Sequence, residues 1–154
     1  MYLYKKIISK LIKDNITIST AESCTGGLLA YTIIKNKDSS KVYQGGYITY
    51  SNELKVMDLN VKKTTLKNYG AVSKETAREM VKGLFLKTRS NICISTTGIA
   101  GPGGGSKSKP IGLVYIGIQV NGKIEVLKKK FKGSRIDIQK KCVDSIFKYL
   151  SNLI

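Results

Sequence analysis

The apolar positions change period several times along the chain, and each change marks an element. Leu3, Ile7, Ile8, Leu11 and Ile12 recur at helical spacing over residues 2 to 14, and Asp14-Asn15 ends that helix. The run ITIST at 16 to 20 reads as a short strand, and a second helix is predicted from Thr25 to Ile34. VYQGGYITY, 42 to 50, reads as a strand that begins through its glycines. Two short helical segments follow, at 52 to 58 and 62 to 69, and Gly70 closes them. Ser73 is placed to cap a longer helix on which Ala77, Met80, Val81, Leu84 and Phe85 share a face. NICISTTG, 91 to 98, is a further strand ending in glycine.

The last third is the plainest. IGLVYIGIQV and KIEVLKKKF are strand-like runs joined by Asn121-Gly122, the strongest local hairpin signal. Ser134 then starts a helix that buries Ile138, Cys142, Val143, Ile146, Phe147 and Leu150. Five strands interleaved with helices on both faces predict an α/β fold, a three-layer α/β/α sandwich with a mixed, mostly parallel sheet. One domain over residues 1–154 accounts for the length. In such an open sheet, ligands sit at the carboxyl ends of parallel strands. TAESCTGG, TYSNELK and TTGIAGPGGGSKSKP each follow a strand, so three polar segments are expected at one edge.

Composition removes several classes. No run approaches the roughly 18 apolar residues of a membrane span, and MYLYKKIISKLIKDN lacks the pattern of a secretory leader. A protein neither exported nor inserted in a membrane is expected. Three widely spaced cysteines, Cys24, Cys93 and Cys142, fit reduced thiols in a cytoplasm better than a disulfide framework. With no histidine and no close cysteines there is no zinc signature, and neither metal nor cofactor is expected.

The net charge of +17 resembles a nucleic-acid footprint until its make-up is examined. Of 27 basic residues only Arg78, Arg89 and Arg135 are arginine, and the lysines are scattered from Lys5 to Lys148. A compositional bias of the whole proteome gives the same pattern, so nucleic acid is not the expected partner. A field of this sign still draws small phosphate-bearing molecules. A symmetric homodimer is compatible with the sequence, although no residue pattern marks its contact.

Each polar segment also has an ordinary explanation. Ser23 or Thr25 can cap a helix, and the glycines at 101 to 105 can serve a loop with positive φ. GPGGG matches neither a Walker A loop nor a dinucleotide fingerprint. Lys55 can be a surface lysine, Tyr50 a sheet-edge aromatic, and Glu22 a cap-region carboxylate. Their coincidence at one sheet edge is what favours chemistry.

Taken in order, TAESCTGGLLA, GGYITYSNELK, YGAVSKETAREM and STTGIAGPGGGSKSKPIGLVYIGI resemble the blocks of the competence/damage-inducible protein C-terminal domain family, over residues 20 to 118. The characterised activity of that family is nicotinamide-nucleotide amidohydrolysis, in which nicotinamide mononucleotide yields nicotinic acid mononucleotide and ammonia. The resemblance implies an α/β/α domain, a small-molecule nucleotide substrate, Ser23 as nucleophile, and Tyr50 and Lys55 as its partners. A serine at a strand-to-helix turn can face its oxyanion toward the N–H groups near Thr25, Gly26 and Gly27. The chain has no histidine to accept the serine's proton, and the resemblance implies Lys55 in that role, with a pKa that burial would lower, while Tyr50 either relays the proton or holds Lys55 in place. Glu22 either orients Lys55 or bonds structurally.

For the substrate's phosphate, Thr97 and the loop glycines Gly98, Gly101, Gly103 and Gly104 offer donors. Arg135 is either an anion clamp or a partner in a surface ion pair. The sequence departs from the family pattern at Gly103, where an acidic residue is common, and at Gln139 and Lys140, where a second arginine is. Many relatives carry this domain behind a molybdopterin-related one, and a solitary amidohydrolase is the expectation here. A serine amidase for another small carboxamide and a competence-related binding protein for nucleic acid are the alternatives.

Overall fold

Strand β1 (Ile18–Glu22) is buried along its whole length because a parallel strand flanks it on either side. The computed structural model describes residues 2–154. In chain order, α1 (Tyr2–Lys13) precedes β1, and α2 (Leu28–Ile34) leads through a single 3-10 turn to β2 (Tyr43–Ile48). Helices α3 (Asn52–Leu59), α4 (Lys63–Tyr69) and α5 (Lys74–Thr88) lead to β3 (Ile92–Gly98). The hairpin β4 (Leu113–Val120) and β5 (Lys123–Lys130) and the helix α6 (Arg135–Leu153) complete the fold.

The sheet has the order β2-β1-β3-β4-β5. It is mixed, parallel across β2, β1 and β3 and antiparallel through β4 and β5. Helices α1, α2 and α6 cover one face, over a core that includes Ile8, Leu11, Ile33, Ile146 and Phe147. On the other face α5, with α3 and α4 against it, covers a smaller cluster of Ala21, Leu59, Val61, Met80, Val81, Leu84 and Cys93. Burying a side chain such as Phe147 contributes about 2–3 kcal/mol. The smaller side is knit also by hydroxyls: Ser95 Oγ donates to the Ala77 carbonyl at 2.7 Å, and the Ser19 and Ser90 hydroxyls meet at 2.5 Å.

Two helix starts follow the sequence. Ser73 Oγ accepts from Thr76 N at 3.1 Å, and Ser134 and Asp137 form a reciprocal capping box at α6. Three boundaries differ from the sequence reading, each for a local reason. β1 runs on to Glu22, because Ala21 and Glu22 pair with Tyr47 and Ile48 on one side and Ser95 and Thr96 on the other. α2 starts at Leu28 because Gly26 and Gly27, at φ 55° and 99°, hold a left-handed turn ahead of it. Gly45 and Gly46 lie inside β2, where a Cβ on Gly46 would fall 2.3 Å from Thr20 Oγ1.

β1 leads into α2 on one face of the sheet, and β2 returns through α5 on the other to β3. The carboxyl ends of β1 and β3 therefore frame a crevice where the winding reverses. Among the described residues, no helix is long and apolar enough to cross a membrane, and no three Cys, Asp or Glu side chains are gathered to hold a metal ion.

Candidate active site

A cleft of about 240 Å³ opens at that crevice. Ser23, Tyr50, Lys55, Thr97, Gly98, Gly101, Gly103, Gly104 and Arg135 line it, together with Cys24, Ala71, Val72, Ile99 and Ala100. Ser23 follows β1 directly, and its N–H donates to the Thr96 carbonyl of β3 at 3.0 Å. The residue is 8% exposed, so its hydroxyl meets the cleft and little else.

Lys55 reaches the same point from the first turn of α3, whose start Ser51 caps by accepting from Leu54 N at 3.1 Å. It is only 1% exposed, which is rare for a lysine. Its Nζ lies 3.1 Å from Ser23 Oγ, 2.7 Å from the Thr49 carbonyl and 3.3 Å from the Tyr50 carbonyl. As an ammonium, the group donates to all three. As a neutral amine it keeps both carbonyl bonds and leaves its lone pair to accept from the Ser23 hydroxyl. Desolvation lowers the Lys55 pKa from 10.5, against a smaller opposing effect of Cys24, and so favours the second state.

Cys24, beside Ser23 in sequence, differs from it in chemistry. It packs into the larger core, and burial pushes its thiol up to about 12. At neutral pH it is a protonated thiol and a poor nucleophile.

Several expected contacts are absent. Thr25, Gly26 and Gly27 do not line the cleft: the Thr25 hydroxyl donates to Glu22 at 2.6 Å and meets Thr96 Oγ1 at 2.8 Å. The N–H groups of Gly26 and Gly27 are bound to the Ser23 carbonyl and the Glu22 carboxylate. The Cys24 and Thr25 N–H groups are the ones in this turn left without an oxygen acceptor among the described residues. Glu22 does not touch Lys55; its acceptors are taken up by the segment from Thr25 to Ala30. Tyr50 holds Lys55 by its backbone carbonyl, while its hydroxyl, on a residue 62% exposed, accepts from Arg135 Nη2 at 2.9 Å. Arg135 Nη1 donates to the Gly101 carbonyl at 2.7 Å, so this side chain spans the mouth from α6 to the glycine loop and to Tyr50. It makes no ion pair with a carboxylate among the described residues.

Three contributors had no signal in the sequence. Gln139, standing where a second arginine is common, donates to the Cys24 carbonyl at 2.9 Å and so anchors the turn after Ser23 to α6. Ala71 and Val72 form a wall of the cleft, held there by the Thr97 hydroxyl, which donates to the Ala71 carbonyl at 2.7 Å. Lys109 Nζ donates to the Tyr69 carbonyl and ties the glycine loop to that wall.

The CinA C-terminal domain profile matches residues 2–154. The chain belongs to this family. A competence-damage inducible relative from Clostridium botulinum is 51% identical over 153 residues, covering 99% of this chain and 37% of its own length. Another, from Clostridium acetobutylicum, is 49% identical over 140 residues, covering 91% of this chain and 34% of the relative. The CinA-family chain thus spans about a third of the length of the curated relatives it matches. The competence/damage inducible protein CihA from Agrobacterium tumefaciens superposes with a TM-score of 0.95 at 38% identity, covering 99% of this chain and 93% of that one. A CinA superfamily protein from Klebsiella pneumoniae gives 0.94 at 32% identity, over 98% and 94%. The family's solved structures share the five-stranded mixed sheet and its flanking helices.

Proposed function

We propose that this CinA domain hydrolyses the carboxamide of nicotinamide mononucleotide, giving nicotinic acid mononucleotide and ammonia, through a covalent intermediate on Ser23. The observation that carries the reading is the buried Lys55 amine 3.1 Å from Ser23 Oγ, oriented by two carbonyls and with its pKa lowered by desolvation. A hydroxyl beside a base of that kind is the arrangement an activated serine requires.

In the first stage neutral Lys55 accepts the Ser23 proton as Oγ attacks the amide carbon. The oxyanion that forms is met by the N–H of Cys24, which lines the cleft, follows the nucleophile and has no oxygen acceptor among the described residues. Lys55, now an ammonium, returns the proton to the departing nitrogen, and the C–N bond breaks to release ammonia. In the second stage water attacks the acyl ester, Lys55 takes its proton and passes it to Ser23 Oγ as the serine leaves, and the carboxylic acid forms. One amide and one water give one carboxylic acid and one ammonia, which in water become carboxylate and ammonium, and the enzyme is unchanged.

For the nucleotide's phosphate, Arg135 is the cation at the cleft mouth, and only two of its five N–H donors are engaged, by Gly101 and Tyr50. The positive field of the whole chain favours the approach of such an anion. The amidohydrolase activity characterised in this family supports the same choice of substrate.

The test is ammonia release from nicotinamide mononucleotide by the purified chain beside its Ser23→Ala variant. Release that falls about a thousandfold or more in the variant is expected. Silence in the parent would overturn the assignment.

A further inference from the structure

Glu22 ends β1 with its carboxylate turned inward and only 1% exposed, and among the described residues no lysine or arginine pairs with it. Its partners are four donors from the segment that follows. Oε2 accepts from Thr25 Oγ1 at 2.6 Å, Gly27 N at 3.0 Å and Leu29 N at 3.1 Å, while Oε1 accepts from Ala30 N at 2.8 Å. Gly27, which precedes α2, has no side chain to cap it, so Glu22 does from upstream what a cap residue does locally.

The same residue acts on the other half of the site through its backbone. The Glu22 carbonyl accepts from Thr49 N at 2.9 Å, and the Thr49 carbonyl is the nearest partner of Lys55 Nζ. Thr25, drawn inward by the carboxylate, also meets Thr96 Oγ1, and the Thr96 carbonyl takes the Ser23 N–H. Ser23 therefore lies in a short turn fixed at both ends by one side chain and its immediate partners. A local cap at position 27 would stabilise α2 equally well, but it would not fix Thr25. We propose that Glu22 is a positioning residue, whose carboxylate sets the turn so that Ser23 Oγ meets Lys55 and the Cys24 N–H meets the oxyanion. The proposal rests on the reading of Ser23 as the nucleophile.

Two rates on the full chain test it. One is ammonia release from the mononucleotide. The other is phosphonylation of Ser23 by a fluorophosphonate, which reads nucleophile and oxyanion donors without an amide substrate. Glu22→Gln keeps the length of the side chain but sets an NH2 group against backbone N–H donors. The variant is expected to lose on the order of tenfold to a hundredfold in kcat and in phosphonylation rate together. KM should stay within about threefold, and the pH midpoint of the rate should not move, since the surroundings of Lys55 are kept. Thr25→Ala, which removes one of the four bonds, should show the same pattern at smaller size and carries the test if Glu22→Gln does not fold. Phosphonylation of folded Glu22→Gln at the parental rate, a loss confined to KM, or a loss that only tracks the unfolded fraction would overturn the proposal. A parent that is phosphonylated but releases no ammonia removes the substrate assignment and leaves Glu22 judged by phosphonylation alone. A parent inert to both removes the nucleophile and the positioning role with it.

Discussion

The two faces of the sheet are held by different forces. Beneath α1, α2 and α6 lies an extended apolar core, with Phe147 fully buried and its ring 4.5 Å from that of Tyr4. Beneath α5 the apolar cluster is small, and directed contacts supplement it: buried hydroxyls and a close approach of α5 to the end of α3. Non-directional burial tolerates small shifts, whereas hydrogen bonds and backbone contact specify distances. Lys55 arrives from the second side, where a distance to Ser23 must be held. The expected division is stability from the large apolar core and alignment from the directed contacts, those beneath α5 together with those of Glu22 and Gln139.

The sharpest break is Lys55→Met. It should lower turnover by about 10²–10⁴-fold while the fold, read by circular dichroism, persists. Activity within tenfold of the parent would remove Lys55 as the base. On the other face, Phe147→Ala should cost about 3–5 kcal/mol in urea unfolding, with the surviving folded molecules turning over at the parental rate. A loss of turnover per folded molecule would show that the larger core also sets the site.

Gly83→Ala joins the two effects. A Cβ there would lie 1.8 Å from the Leu59 carbonyl, so α5 and the end of α3 must part. It should cost about 1–3 kcal/mol and also lower the turnover of the folded protein. Full activity in the folded fraction would mean that Lys55 is insulated from that contact. The smallest effect is one of pH. Turnover should rise as Lys55 loses its proton, with a midpoint below 10.5. Because the unfolded chain binds that proton more tightly, the penalty for burying the ammonium is complete below the lowered folded pKa and gone above 10.5. Thermal unfolding from roughly pH 7 to roughly pH 10 should therefore show the parent gaining stability relative to Lys55→Met. Parallel curves would exclude a lowered pKa.

The fold was legible because its signals are local. Helical spacing in α1, α5 and α6, the Asn121-Gly122 turn and the serines at 73 and 134 each act within a few residues, and the structure places all of them in the expected elements. What escaped the sequence was reach. Nothing in Glu22 signals that its carboxylate bonds as far along the chain as Ala30, or in Gln139 that it holds the Cys24 carbonyl. Tyr50, which the sequence leaves either to relay a proton or to hold Lys55 in place, meets the Lys55 amine with its backbone carbonyl and Arg135 with its hydroxyl. Gly26 and Gly27, expected beside Thr25 to offer N–H donors to the cleft, give them to the Ser23 carbonyl and the Glu22 carboxylate, and a carboxylate's demand for N–H groups is visible only in three dimensions.

The hairpin between β4 and β5 turns at Asn121-Gly122, at the end of the sheet where Val120 pairs with Ile92. The crevice lies at the opposite end, beside Gly98. A fluorophore or affinity tag inserted in that turn would sit a strand's length from Ser23, so the chain offers a point of attachment from which turnover can be watched without entering the cleft.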